Sequence, residues 1–283
     1  MEPYRGKHNH PLRRLGERLL DTVLFGGLVA KWSYRCGLHG RLHVTRHEVA
    51  LPEDKQLPRP LTIAFASDFH AGPTTHPAIF SDLFDHIEAA QPDILLLGGD
   101  YVSCKSSYVT ALAQRLSQCN PPAGKYAVFG NHDLWTDDRH LRQVLGAASV
   151  EVLVNQNATL PFPFESVSIG GLDDPWTGRA DASTAFQGAA EIRILLMHAP
   201  DGLYLLEGEK FDVGFAGHTH GGQIALADGT PIVVPHGPLC RTYCHGKFQI
   251  EDNGSLIVSR GIGCSTLPVR INADPELVIC TLR

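Results

Sequence analysis

Residues 94–100 read Ile-Leu-Leu-Leu-Gly-Gly-Asp. The apolar run fits a buried strand, and the two glycines let the chain turn sharply at its end. The turn leaves a carboxylate, Asp100, at the strand's mouth, where it can bridge two cations, one on each oxygen. The same arrangement recurs along the chain. Residues 61–66 run into Ser67-Asp68-Phe69-His70, and residues 125–129 into Gly130-Asn131-His132-Asp133. Residues 192–197 stop at His198, and residues 213–216 run into Gly217-His218-Thr219-His220. Asp68 and His70 are two positions apart, so an extended segment places both on one side. A single His after a strand is most often a packed or hydrogen-bonded residue. Five strand ends that all carry carboxylate, amide or imidazole donors are harder to explain that way, because loops at the ends of neighbouring strands converge in space. The mixed donors suit borderline divalent ions (Mn2+, Fe2+ or Zn2+) and not an all-thiolate structural zinc site.

The chain has 283 residues, 43% of them hydrophobic, ample for a core in one large domain or two small ones. A formal net charge of −6 leaves no basic footprint for nucleic acid. Seven cysteines without paired short spacings argue against a disulfide framework and for a reducing compartment. Ile79, Phe80, Leu83, Phe84 and Ile87 recur at helical spacing, with Thr75 as candidate cap and Pro77 in the first turn. Further helices are predicted near 111–116 and over 137–145. Strands are predicted near 42–51, 150–154, 167–169, 256–258 and 277–282. Residues 170–190 read as a loop-rich insert. No repeat or linker divides the chain. The predicted organisation is an appendage over 1–50, loose at 1–11, then one domain over 51–283. Within the appendage, residues 15–32 turn apolar between basic flanks at Arg13, Arg14 and Arg18 on one side and Lys31 on the other. The uncharged run 22–30 is far shorter than the roughly 20 residues a spanning helix needs. The pattern fits an interfacial helix on an anionic leaflet and equally a helix packed on the protein's own core.

Asp68-Phe69-His70, Gly99-Asp100, Gly130-Asn131-His132-Asp133, His198 and Gly217-His218-Thr219-His220, in this order, resemble the five motifs of the calcineurin-like metallophosphoesterases. The Gly-His-Thr-His-Gly-Gly-Gln stretch and Ser259-Arg260-Gly261-Ile262-Gly263 narrow the resemblance to the YkuE/YaeI-like bacterial phosphodiesterase branch. That branch includes a UDP-2,3-diacylglucosamine hydrolase of lipid A synthesis. The resemblance implies an α/β (α+β) fold, a four-layer α/β/β/α sandwich of mixed sheets. It implies that Asp68, His70 and His220 hold one metal ion, that Asn131, His198 and His218 hold another, and that Asp100 bridges them. His132 is then not a ligand but faces the phosphoryl group, stabilising charge or protonating the leaving oxygen. Two cations about 3.5–4 Å apart neutralise an anionic phosphodiester and lower the pKa of a bridging water. Asn131 supplies an oxygen without a further negative charge, and an imidazole's ordinary pKa near 6.5 suits proton donation at neutral pH.

One position departs from the pattern. Many family members carry a second Asp three residues after the Gly-Asp motif, where it orients the catalytic His; here that position is Ser103. The Asp-Arg-Gly continuation of protein phosphatases is absent too. Among the remaining candidates, Asp173, Asp174, Trp176 and Arg179 sit in the insert, and Arg179 is the one suited to grip a second phosphate. His236, Cys240, Cys244 and His245 fit no standard zinc spacing and read as a loop bordering the cleft. Cys104, Cys119, Cys264 and Cys280 read as small core residues. The expected activity is hydrolysis of a phosphodiester or pyrophosphate bond in a lipid-linked small molecule such as UDP-2,3-diacylglucosamine. The expected location is cytoplasmic, on the inner face of the cell membrane. The rivals are a soluble phosphodiesterase of small or cyclic nucleotides and a non-catalytic scaffold on the same fold. No pattern specifies an oligomeric state.

Overall fold

Side-chain alternation along the strands decides the layering. β2 (Leu61–Ala66) sends Leu61, Ile63 and Phe65 to one face and Ala64 and Ala66 to the other. β3 (Ile94–Leu97) puts Ile94 and Leu96 with the first set, Leu95 and Leu97 with the second. Both faces are apolar, so both must be covered. The computed structural model, which describes Gly16, Leu19 and residues 22–283, shows how. The first sheet has the order β1 (His43–Val49), β12 (Glu276–Leu282), β2, β3, β4 (Lys125–Ala127) and β5 (Glu151–Val152). Strands β2 to β5 are mutually parallel; β12 lies antiparallel to β2 and parallel to β1. The second sheet has the order β10 (Gly246–Gln249), β11 (Ser255–Val258), β9 (Val213–Ala216), β8 (Ile192–Leu196), β7 (Val167–Gly171) and β6 (Gln156–Thr159). Its four inner strands are parallel and its two edges antiparallel.

The inner faces of the two sheets pack on each other, with the rings of Phe65 and Phe215 5.3 Å apart at the centre. Over the outer face of the first sheet lie α2 (Ala78–Ala90), α3 (Val109–Gln118) and α5 (Asp138–Ala147), with the short α4 (Asn131–Trp135) preceding α5. The second sheet's outer face is covered by α6 (Ala182–Phe186) together with Leu206 and Phe211. This is the expected four-layer sandwich of mixed sheets. The boundary expected at residue 51 falls after β1, which is itself an edge of the first sheet.

Helix α2 buries Ile79, Phe80, Leu83, Phe84 and Ile87, as its spacing predicts, but Thr75 does not cap it. The Thr75 hydroxyl instead accepts the Cys264 N–H at 3.0 Å, tying the helix entry to the loop after β11. Asp137 does cap α5, accepting the His140 N–H at 3.1 Å. All seven cysteines are unpaired, and Cys104, Cys264 and Cys280 are buried.

The Arg13, Arg14 and Arg18 flank and residues 1–11 lie outside the described residues. Among those described, no helix is long and apolar enough to cross a membrane. α1 (Leu28–Arg35) is docked by a few polar contacts. The Ser33 hydroxyl donates to the Pro268 carbonyl, and the Leu38 carbonyl accepts the Arg270 N–H at 2.7 Å. The Tyr34 ring stacks on His76, and the fully buried His39 accepts the His76 N–H through Nε2 at 3.1 Å. Burial, reinforced by the nearby Arg270 charge, pulls the His39 imidazole down to about 4. The folded chain thus takes up this proton later than the unfolded chain as pH falls. Stability from neutral His39 is complete above about 6.5 and is lost between there and about 4. In thermal melts, His39→Gln should be a few degrees less stable than the wild type at pH 7.5. That gap should narrow steadily as the pH is lowered to 4.5; a gap that widens instead would refute the role.

Candidate active site

The parallel strands of both sheets present their carboxyl ends at one edge of the sandwich, and all seven expected metal donors gather there. His70 and His220 meet Nε2 to Nε2 at 3.1 Å. Asp68 Oδ1 lies 3.5 Å from His220 Nε2. Beside them, His198 Nε2 lies 3.1 Å from both Asn131 Oδ1 and His218 Nδ1. Asp100 stands between the clusters, its Oδ2 3.5 Å from His70 Nε2 and 3.5 Å from His198 Nε2. Its Oδ1 accepts the His132 backbone N–H at 2.8 Å.

These donors fit divalent cations on their own chemistry. Burial, aided by neighbouring positive groups, holds the His70 and His220 imidazoles well below their ordinary range, and burial with His198 brings His218 down to about 3. A neutral imidazole offers one lone pair to a cation, and the buried His70 Nδ1 has no hydrogen-bond partner, so hydrogen bonds within the protein do not satisfy every ring nitrogen here. Asp68, His70 and His220 form one group whose ligand atoms lie within 4.8 Å of one another; Asp100, His198 and His218 form a second. A third group joins His132 to His70 and Asp100. Burial pushes the Asp68 carboxyl up to about 6. At Asp100 burial also acts upward, but His198, His132 and His70 outweigh it and hold the carboxyl well below the usual range.

His132 lines the cleft beside these groups. Its Nδ1 lies 3.0 Å from the Ser103 carbonyl, which leaves Nε2 for the cleft. The orienting partner missing from the sequence motif is thus a backbone carbonyl at the substituted position, which any residue can supply. The Ser103 hydroxyl is engaged elsewhere, 2.9 Å from the His70 carbonyl and 2.7 Å from Thr74 Oγ1.

Two supporting residues escape a reading by strand ends. Asp133, fully buried, accepts the N–H groups of Asp100, Tyr101 and Gly130 at 2.7, 2.8 and 2.9 Å and so locks two motif loops together. It stands within the Gly-Asn-His-Asp motif, so the signal was present though its role was not. Arg270 lies 50 residues beyond His220 in sequence and is also buried. It donates to the carbonyls of Ala273 and Arg260 at 2.8 and 2.9 Å and reaches His220 Nδ1 at 3.2 Å, fixing that ring from behind.

Arg179, by contrast, is exposed and does not line the cleft. Its backbone N–H donates to Asp173 and its carbonyl accepts from Asn155, so the residue serves the loop's own structure. From the same insert, Trp176 and Thr177 do reach the cleft, held by N–H bonds to the Asp174 carboxylate at 3.2 and 2.6 Å. Pro235 and His236 form the opposite rim, with the His236 ring 5.0 Å from Trp176.

Packing at the strand ends is tight enough to demand glycine. A Cβ on Gly130 would sit 2.3 Å from Asp100 Oδ1 and 2.6 Å from His198 Cε1; one on Gly217 would sit 2.3 Å from Asp68 Oδ2. Gly130→Ala should therefore displace Asp100 and His198 together. Both metal content and hydrolytic activity are expected to fall at least tenfold, measured by elemental analysis and initial rates. Unchanged metal content would show that the clash is absorbed elsewhere.

Residues 61–222 match the calcineurin-like phosphoesterase family. Phosphodiesterase YaeI of Escherichia coli is 31% identical over 252 residues, covering 86% of this chain and 89% of that protein. The metallophosphoesterase YkuE of Bacillus subtilis is 30% identical over 203 residues, 70% of each chain. UDP-2,3-diacylglucosamine pyrophosphatase LpxG of Chlamydia trachomatis is 27% identical over 320 aligned positions, covering 93% of this chain and 95% of that one. The chain belongs to the calcineurin-like phosphoesterase family and is a phosphoester hydrolase.

Proposed function

We propose that the protein is a dinuclear-metal-dependent hydrolase of phosphodiester or pyrophosphate bonds, acting on a lipid-linked small molecule of the UDP-2,3-diacylglucosamine type. The observation that carries the dinuclear reading is Asp100 Oδ2, equidistant at 3.5 Å from a nitrogen of each histidine cluster. Asp68, His70 and His220 hold one ion in this reading, Asn131, His198 and His218 the other, and Asp100 both. Two bound divalent ions supply positive charge to the phosphoryl oxygens and a nucleophile at neutral pH. The protein's own groups do the rest. Asp133 fixes Asp100 through the backbone, Arg270 fixes the His220 ring, and the Ser103 carbonyl fixes the His132 tautomer so that Nε2 can donate a proton to the leaving oxygen.

The substrate class is supported by the cleft's size and lining. A space of about 400 Å3, walled by Trp135, Trp176, Thr177, Pro235 and His236, exceeds what a phosphoryl group alone fills and offers flat apolar surface to a leaving group. LpxG's named substrate is of this kind, and exposed Leu28 and Trp32 on α1 suit a peripheral position on the inner face of the membrane. The appendage in this reading comprises the residues before β1.

The test is a substrate panel on metal-reconstituted protein: UDP-2,3-diacylglucosamine, bis(p-nitrophenyl) phosphate and a cyclic nucleotide, with Mn2+, Fe2+ and Zn2+ in turn. Turnover of the lipid nucleotide is expected. Cleavage of the diester without it would keep the hydrolase class and remove the lipid assignment. Preferred turnover of the cyclic nucleotide without lipid would favour the soluble rival. Neither bound metal nor metal-stimulated hydrolysis would favour a scaffold. His132→Ala should retain both ions by elemental analysis yet lose roughly 100- to 10,000-fold in kcat. Loss of metal in that variant would overturn the division between ligands and acid.

A further inference from the structure

One feature of the surface has no part in the chemistry. Phe25, Leu28, Trp32, Ile232, Val233 and Leu267 are each more than half exposed. They come from three segments far apart in sequence that backbone hydrogen bonds tie side by side. The loop after α1 meets the third segment through the Leu38 carbonyl and the Arg270 N–H, and the Ser33 hydroxyl meets Pro268. That segment pairs in turn with the loop after the last motif: Ile271 bridges Ile224, the Ile271 carbonyl accepts the Ala225 N–H at 2.9 Å, and Ile232 donates to the Ile224 carbonyl at 3.0 Å. Both of the later segments border the cleft, since Ser265, Pro235 and His236 line it.

Exposed apolar side chains at this density, beside a cleft, mark a surface that meets something. The charge pattern selects what. Residues 22–47 carry Lys31, Arg35, Arg41 and Arg46 and no acid, within a chain of net charge −6. Lys31, Arg35 and Arg41 are exposed, on or just after α1. The 223–235 loop has one acid, Asp228, held ionised by the Thr230 N–H, and no base, so the cations of this face come from α1 and the residues just after it. Apolar side chains flanked by cations complement an anionic phospholipid surface, where the apolar groups enter the acyl boundary and the cations meet headgroups.

We propose that α1 and the loops at 224–233 and 267–271 form one continuous docking face for an anionic phospholipid bilayer, seating the cleft mouth beside the membrane plane. This rests on the peripheral-membrane reading above and extends it: contact is not confined to the N-terminal helix, and the two loops carry a share of their own.

Flotation of the full-length protein with vesicles of phosphatidylcholine, alone or mixed with phosphatidylglycerol, tests it. The wild type should bind the mixed vesicles and not the neutral ones. Ile232→Glu combined with Leu267→Glu should weaken binding at least about tenfold, the cost of losing one buried apolar side chain or more. Trp32→Glu should do the same. Both variants should keep wild-type melting temperature and wild-type rates on bis(p-nitrophenyl) phosphate in detergent-free solution. If Trp32→Glu loses binding and the double variant does not, the extended face is wrong and the helix reading stands. If neither loses it, or the wild type does not bind, membrane docking fails while diester cleavage still reports the hydrolase independently. A wild-type dimer in sedimentation that the double variant dissociates would assign the face to a second copy and overturn the proposal.

Discussion

The site is organised around one carboxylate oxygen shared between two sheets. His70 follows a strand of the first sheet and His198 follows a strand of the second, and both bring Nε2 to 3.5 Å from Asp100 Oδ2. The separation and tilt of the sheets therefore set the geometry at this point. The apolar layer between them, with Phe65 against Phe215, sets that separation. Core packing and site geometry are in this sense a single constraint: repacking the sandwich interior would move one cluster relative to the other.

Holding such a site is costly. Asp68, His70, Asp100, His218 and His220 all adopt positive φ, between 43° and 70°, a region unfavourable to residues with a side chain. Several imidazoles and carboxylates share a buried space, and no hydrogen bond satisfies His70 Nδ1. The surrounding structure over-determines the arrangement. Asp133 collects three backbone N–H groups, Arg270 spans the loops around β11 and the last motif, and the His218 N–H donates to Asp68 at 3.0 Å. A burial-stabilised neutral state for three of the histidines then becomes useful, because it leaves lone pairs ready for a cation and no protons to displace.

Much of this was legible in the strand ends. Short apolar runs closed by Gly, Asp, Asn or His locate the seven donors, because period-2 burial and sharp turns are local properties. At Arg179 the backbone bonds to Asp173 and Asn155 serve the closure of the insert, and Trp176 and Thr177 of the same insert line the cleft. Thr75 looks like a cap in sequence, and a residue 189 positions away claims its hydroxyl. The Ser103 departure resolves for the opposite reason: the required acceptor is on the backbone, where residue identity leaves no trace.

By itself the sequence determined the strands, the helical faces and the inventory of donors at each strand end, since these follow from chemistry between near neighbours. Only the fold shows that Asp100 Oδ2 stands 3.5 Å from a nitrogen of each cluster, that Arg270 and Asp133 brace them, and that hydrogen bonds tie α1 and its following loop to the remote segment at 268–271 and that segment to 224–225. Each of those is a distance between residues that share no local pattern, and only the packing of one sheet on the other fixes it.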